Sequence, residues 1–124
     1  MSTKRVLSVG QCCADHGAIT RTIQGHFDAT VVPADDLAEA RAQLREGAFD
    51  LVLVNRILDA DGSSGLDVVK QLKADEASRD LPVMLVSNYE ESQQQAVQAG
   101  AVRGFGKGAL GQPQTIARLR TYLG

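Results

Sequence analysis

Leu51-Val52-Leu53-Val54 is apolar at every position rather than at alternate ones, and this run constrains the fold more than any other feature of the chain. A strand that is apolar on both faces has to be covered on both sides, as a central strand of a parallel sheet is when it lies between layers of helices. Four other short runs read as strands: Val6 to Val9, Ala29 to Val32, Leu81 to Val86 and Ala101 to Phe105. Pro82 is compatible with its strand only at the beginning, because proline donates no ladder hydrogen bond.

The stretches between these runs carry helical spacing. Cys13 to Gly25 places Ala14, Ala18, Ile19 and Ile23 on one face. After Pro33 and Ala34, Asp35 or Asp36 can cap a helix with Leu37, Ala40, Ala42 and Leu44 on its apolar side, and Gly47 can end it. Leu66 to Ala74 follows a loop rich in Gly, Ser and Asp. Glu90 to Ala99 is polar, with Ala96 and Val97 as its chief apolar positions, and the last helix starts at Pro113 and runs through Ile116, Leu119 and Tyr122. Strands and helices thus alternate five times with short connections, which predicts one α/β domain over residues 1–124: a doubly wound three-layer sandwich around a five-stranded parallel sheet. In such sheets a site forms at the carboxyl ends of the strands. Those ends bring Gly10, Gln11, Asn55, Ser87 and Lys107 forward as candidates.

Charge and cysteine usage narrow the function classes. With 13 Lys+Arg against 15 Asp+Glu the net charge is -2, and nothing concentrates cations for a nucleic acid. No apolar run is long enough for a membrane span, and the N-terminus has no secretory h-region, so a cytoplasmic protein without nucleic-acid or membrane partners is expected. Cys12 and Cys13 are adjacent and form no disulfide framework. At the start of the first helix they could serve a redox role, but at least one is expected to fill space as a small buried hydrophobe. Together with His16 and His26 they match no zinc spacing. The DGSSG loop lacks the lysine of a phosphate-binding loop, and no Ser-His-Asp or Cys-His set is present. No enzymatic activity and no cofactor are expected.

At the four strand ends the sequence resembles the receiver domains of bacterial two-component response regulators, over essentially the whole chain. DLVLV followed by Asn55 resembles the strand ending in the phosphoacceptor, and Leu58 the hydrophobic residue three positions on. The run from Gly65 to Val69 resembles the start of the third helix. LPVMLVS, ending at Ser87, resembles the fourth strand with its terminal Ser/Thr, and GAVRGFGK, ending at Lys107, the fifth strand with its lysine. The resemblance implies a flavodoxin-like, CheY-like strand order 2-1-3-4-5 and a role in two-component signalling or a phosphorelay. It also implies that the fourth helix, fifth strand and fifth helix form a face for a protein partner or a second copy, with Gln94, Gln98, Arg103 and Tyr122 as its contacts.

Against that pattern the chain departs where the chemistry sits. Gly10 and Gln11 stand where the family has a metal-binding acidic pair, and Asn55 stands at the acceptor aspartate. Asp59 replaces a usual proline, Gly108 replaces the proline after the lysine, and Gly104 falls at the switch aromatic. An amide is no phosphoryl nucleophile, and neutral side chains suit Mg²⁺ poorly. The expectation is a degenerate pseudo-receiver that works by protein–protein interaction, without phosphorylation and without a metal. The rival expectation is an atypical response regulator that accepts phosphate at another acid or senses a small anionic ligand; separately, Asp59 and Asp61 are the carboxylates that could restore a metal site if the altered loop folds back over the pocket, against a reading as solvated turn residues. Two local expectations accompany these: a hydrogen bond from Lys107 to Asn55 that fixes the pocket, and Asp15 as a surface charge near a helix start.

Overall fold

The computed structural model describes residues 3–124. Five parallel strands form one sheet in the order β2-β1-β3-β4-β5. They are β1 (Lys4–Val9), β2 (Ala29–Ala34), β3 (Leu51–Asn55), β4 (Val83–Val86) and β5 (Val102–Phe105). The helices are α1 (Cys13–His26), α2 (Leu37–Glu46), α3 (Gly65–Ala74), α4 (Glu90–Gln98) and α5 (Pro113–Leu123), with a single 3-10 turn at Lys107–Ala109. This is the flavodoxin-like, CheY-like α/β fold expected from the sequence, and strand order reverses beside β1.

The two faces of β3 show why the fold closes. Val52 and Val54 point with Leu7, Val9, Val83 and Leu85 into a core completed by Ala40 of α2, Val68, Val69 and Leu72 of α3 and Ala96 of α4. Leu51 and Leu53 point with Val6, Met84 and Val86 into the opposite core, against Ile19 and Ile23 of α1 and Ile116, Leu119 and Leu123 of α5. Each of these buried Val, Leu, Ile and Met side chains contributes about 1.5–3 kcal/mol of transfer free energy. Covering both faces is therefore what the uninterrupted apolar run demands.

The helix ends follow local chemistry. Asp36 caps α2 by accepting from the Glu39 N–H at 2.9 Å, while Glu39 accepts in return from the Asp35 N–H at 3.0 Å. Ser64 caps α3 by accepting from the Asp67 N–H.

Several expectations need correction. β2 continues through Pro33 to Ala34, because β2 lies at the sheet edge, where a missing N–H on the outer side breaks no ladder. Ala14 is exposed, and Val97 is 45% exposed, so neither belongs to the core. Cys13 is exposed too, and Cys12 is half-buried at the N-cap of α1, where its Sγ accepts from the Asp15 N–H at 3.4 Å; neither cysteine fills the core.

Gly65 opens α3 directly against the backbone of β3, and a methyl group there would overlap the Asn55 carbonyl. Gly25 sits in α1 with open space around it. Gly65→Ala should therefore lower stability by about 1–3 kcal/mol through overpacking, while Gly25→Ala should raise it by about 0.5 kcal/mol through helix propensity. Urea unfolding midpoints of the two variants test the opposite signs.

Candidate functional site at the carboxyl ends of the strands

Gly10 follows β1 with φ 77°, a left-handed conformation that a side chain rarely adopts. A Cβ at this position would also strike the Leu58 side chain. Its N–H donates to the Ala34 carbonyl at 2.7 Å, and its own carbonyl accepts from the Asp59 N–H at 3.0 Å and from Asn55 Nδ2 at 3.0 Å. The glycine thus ties the loop after β3 back across β1. A carbonyl oxygen only accepts, so the Asn55 side chain must turn its nitrogen toward it. A carboxylate in that orientation would set acceptor against acceptor.

Lys107 begins the 3-10 turn after β5, and its Nζ pairs with Asp15 Oδ2 at 2.6 Å. The expected bond from Lys107 to Asn55 is not the one formed: Asp15 offers Lys107 a full negative charge, which attracts an ammonium more strongly than a neutral amide oxygen does. Asp15 is correspondingly more than a surface charge. Its carboxyl is held below the ordinary 3.8 chiefly by the hydrogen bond from Lys107, against an opposing effect of burial. Ser87 is buried at the end of β4, where its N–H donates to the Phe105 carbonyl at 3.0 Å and its Oγ accepts from the Tyr89 N–H at 3.1 Å. Gln11 is half-buried, and both polar atoms of its amide are shielded from water without a hydrogen-bond partner among the described residues.

The other side of the pocket is closed by two amides that sequence reasoning did not single out as site residues. Asn88 Oδ1 accepts from the Gly108 N–H at 3.0 Å. It lies so close to Gly106 that a Cβ there would overlap it. The bond needs an N–H at residue 108, which a proline would lack.

Gln93 of the polar helix α4 is 3% exposed. Its Nε2 donates to the carbonyls of Leu85 at 2.9 Å and Ser87 at 3.1 Å, and its Oε1 accepts from the Gly104 N–H at 2.9 Å. The reason lies in β5. Its pairing with β4 passes from Met84↔Val102 to Val86↔Phe105, so β5 carries one extra residue in a bulge, and Gln93 satisfies the amide left over. A Cβ on Gly104 would strike the Leu85 carbonyl, which explains why no aromatic stands there.

Of the expected contact residues, Gln94, Gln98 and Arg103 are exposed, while Tyr122 is half-buried and packs against the core on the α1/α5 side. Arg103 Nη2 pairs with Glu90 Oε1 at 2.6 Å.

The family described as "Response regulator receiver domain" matches residues 14–119. The chain belongs to the response-regulator receiver family. Chemotaxis protein CheY-3 of Vibrio cholerae is 33% identical over 92 residues, a stretch that covers 73% of this chain and 65% of that relative's length. Among solved structures, the phosphorylated cyanobacterial phytochrome response regulator RcpA superposes with TM-score 0.78 at 20% identity, covering 98% of this chain and 94% of that one. V. cholerae CheY4 gives TM-score 0.75 at 20% identity, covering 98% and 100%.

A receiver is expected to hold a divalent cation at this end of the sheet, and the donor set here does not fit one. Gly10 has no side chain, Gln11 and Asn55 are neutral, and Asn55 presents a nitrogen to the Gly10 carbonyl. Asp59 and Asp61 are exposed in the loop, and Asp61 accepts from the Ser63 N–H at 2.9 Å; hydrogen bonding from the Ser63 side chain first, and from this N–H second, holds its carboxyl below the ordinary value. Among the described residues no three His, Cys, Asp or Glu side chains are placed to share a metal ion. No described helix is long and apolar enough to cross a membrane.

The Lys107–Asp15 pair predicts a pH effect with a definite sign. The folded pKa of Asp15 lies below the unfolded one, so the stabilisation is complete above about pH 4 and is lost as pH falls through the folded value. Both side chains are 34% exposed, and solvent screening limits the effect to about 1 kcal/mol or less. The Asp15 carboxyl carbon, followed by NMR, should titrate below 3.8 in the wild type and move upward in Lys107→Gln. A second test concerns the bulge. Gln93→Leu strands the Gly104 N–H in a buried position and should destabilise the fold by about 1–3 kcal/mol, read by urea unfolding together with faster amide exchange along α4.

Proposed function

We propose that this receiver domain is a pseudo-receiver: a non-enzymatic signalling module of the cytoplasm that works by binding a protein partner in one fixed pocket conformation, without accepting phosphate. The observation that carries the reading is the double acceptance at the Gly10 carbonyl, because it gives Asn55 a structural duty that an aspartate could not perform. Gly10 supports the same conclusion. An acidic side chain there would need both a left-handed backbone and the space now filled by Leu58.

Lys107, the cation expected to meet a phosphoryl oxygen, is already neutralised by Asp15. Asn88 and Gln93 hold the loop after β4 to β5 through uncharged hydrogen bonds, which need no phosphate to form. Gln94, Gln98 and Arg103 are exposed and Tyr122 is half-buried, side chains of the mixed polar and aromatic kind found in non-obligate contacts with a partner or a second copy. The rival readings are weaker on the same geometry. Asp61 spends an oxygen on its own loop, and a phosphate-sized dianion would find only one unneutralised cation, Arg56, lining the cleft.

The deciding experiment is incubation of the wild type with a small phosphodonor and Mg²⁺ followed by intact-mass measurement. No gain of a phosphoryl group is expected. Asn55→Asp alone should also stay unlabelled, because Gly10 and Gln11 supply no carboxylate for the ion. Labelling of the wild type would overturn the proposal.

A further inference from the structure

The cleft beside Asn55 has a composition that the loss of phosphorylation does not by itself explain. Its volume is about 350 Å³, and it runs along the loops after β3 and β4 with Arg56, Ile57, Ser87, Asn88, Tyr89 and Lys107 among its walls. No aspartate or glutamate lines it. Arg56 lies over the Tyr89 ring, 4.8 Å from its centroid, and enters no ion pair among the described residues.

Among the described residues, two of the three large apolar side chains that stand out at the surface, Ile57 at 43% and Tyr89 at 60% exposure, border this one cleft. Donors remain inside it. Asn88 uses its oxygen on Gly108, which leaves its amide protons, and the Ser87 hydroxyl accepts from Tyr89, which leaves its proton.

We infer that this cleft docks an exposed segment of a partner protein that presents one Asp or Glu side chain beside an apolar residue, with the carboxylate on Arg56 and the apolar residue on Ile57 and Tyr89. The inference rests on the pseudo-receiver reading, since a phosphoryl group would otherwise claim the cleft. Charge selects the occupant. Arg56 and Lys107 bring two positive charges and Asp15 removes one, so the site matches a singly charged carboxylate better than a phosphate dianion.

Guanidinium is also the cation that pairs with carboxylate through two parallel N–H donors. Stacking on Tyr89 holds that fork in place before binding. The apolar rim argues for a protein segment over a free small anion, because an inorganic ion would leave Ile57 and Tyr89 in water. An aromatic and an arginine flanking one cleft is also the composition in which binding energy concentrates at protein interfaces.

The test uses the full chain as bait for a displayed library of random peptides, followed by measurements on synthetic copies of the enriched sequences. Enriched peptides should share an Asp or Glu next to an apolar residue. Replacing that acid by its amide, or Arg56 by Gln or Tyr89 by Ala in the protein, should weaken binding about tenfold each. The two charge deletions should be non-additive in a double-mutant cycle. Arg45→Gln, on the exposed side of α2, should change nothing, and amide shift changes should centre on residues 56–57 and 87–89.

Enriched peptides without an acid, binding indifferent to Arg56→Gln, or shifts confined to α5 would overturn the docking site. So would equal shifts at these residues with millimolar inorganic phosphate or acetate alone, which would make the cleft a small-anion site. Phosphoryl labelling of the wild type would instead remove the reading beneath it, whatever the peptides do.

Discussion

One backbone oxygen organises the site. The Gly10 carbonyl receives both the Asp59 N–H and the Asn55 side chain, so β1, the end of β3 and the loop leading to α3 meet at a single acceptor. That arrangement needs the left-handed turn at residue 10, which places the carbonyl under the loop and leaves Leu58 the space a side chain would take. Removing the Asn55 amide leaves the Gly10 carbonyl with the Asp59 N–H alone, and adding a side chain at residue 10 displaces Leu58 from the core. The same turn therefore holds both residues, Asn55 through its nitrogen and Gly10 through its backbone angle and the space that Leu58 fills.

The opposite wall is built on the same principle with different parts. β5 accommodates an extra residue, and the bulge leaves an amide at Gly104 that must find a partner away from water. Gln93 meets it from α4 and uses its remaining protons on Leu85 and Ser87, so a buried side chain joins α4 to both strands. Asn88 repeats the pattern at the next loop, where glycines at 106 and 108 supply the room and the donor. Every one of these bonds is between neutral groups inside the protein, and none depends on a metal ion or a charge delivered from outside.

What could be read from the sequence and what could not divide along physical lines. The apolar run of β3, the capping Asp36, Gly47 and Pro113 act within a few residues of themselves, and the structure places them where local rules predict. The strand ends, and hence Gly10, Asn55, Ser87 and Lys107, follow from topology. Their partners do not. Lys107 reaches Asp15 across 92 residues of sequence, and no local pattern could prefer it over Asn55. Gln93 reads as one more glutamine in a polar helix, because the bulge that needs it is a property of β5 and not of α4. One signal was present: Gly104, Gly106 and Gly108 alternate along the approach to Lys107 and after it, and such close glycines mark backbone that something else must approach.

The electrostatics of the pocket then follow from a single change of sign. Carboxylates clustered at one strand end repel one another and are tolerable only with a cation among them. Without a tightly held ion, neutral residues at 10, 11 and 55 remove the repulsion. The lysine at 107 then lacks an anion, and Asp15, in the first turn of α1, supplies it at 2.6 Å where the positive end of the helix also favours a carboxylate. Arg56 is the charge left over. It is not neutralised by any side chain in the described part of the molecule, yet it is held by an aromatic ring at the mouth of a cleft with no acid in its walls. These strand ends therefore present a positively charged, pre-ordered opening, and rigidity of that kind lowers the conformational entropy lost when a partner is engaged.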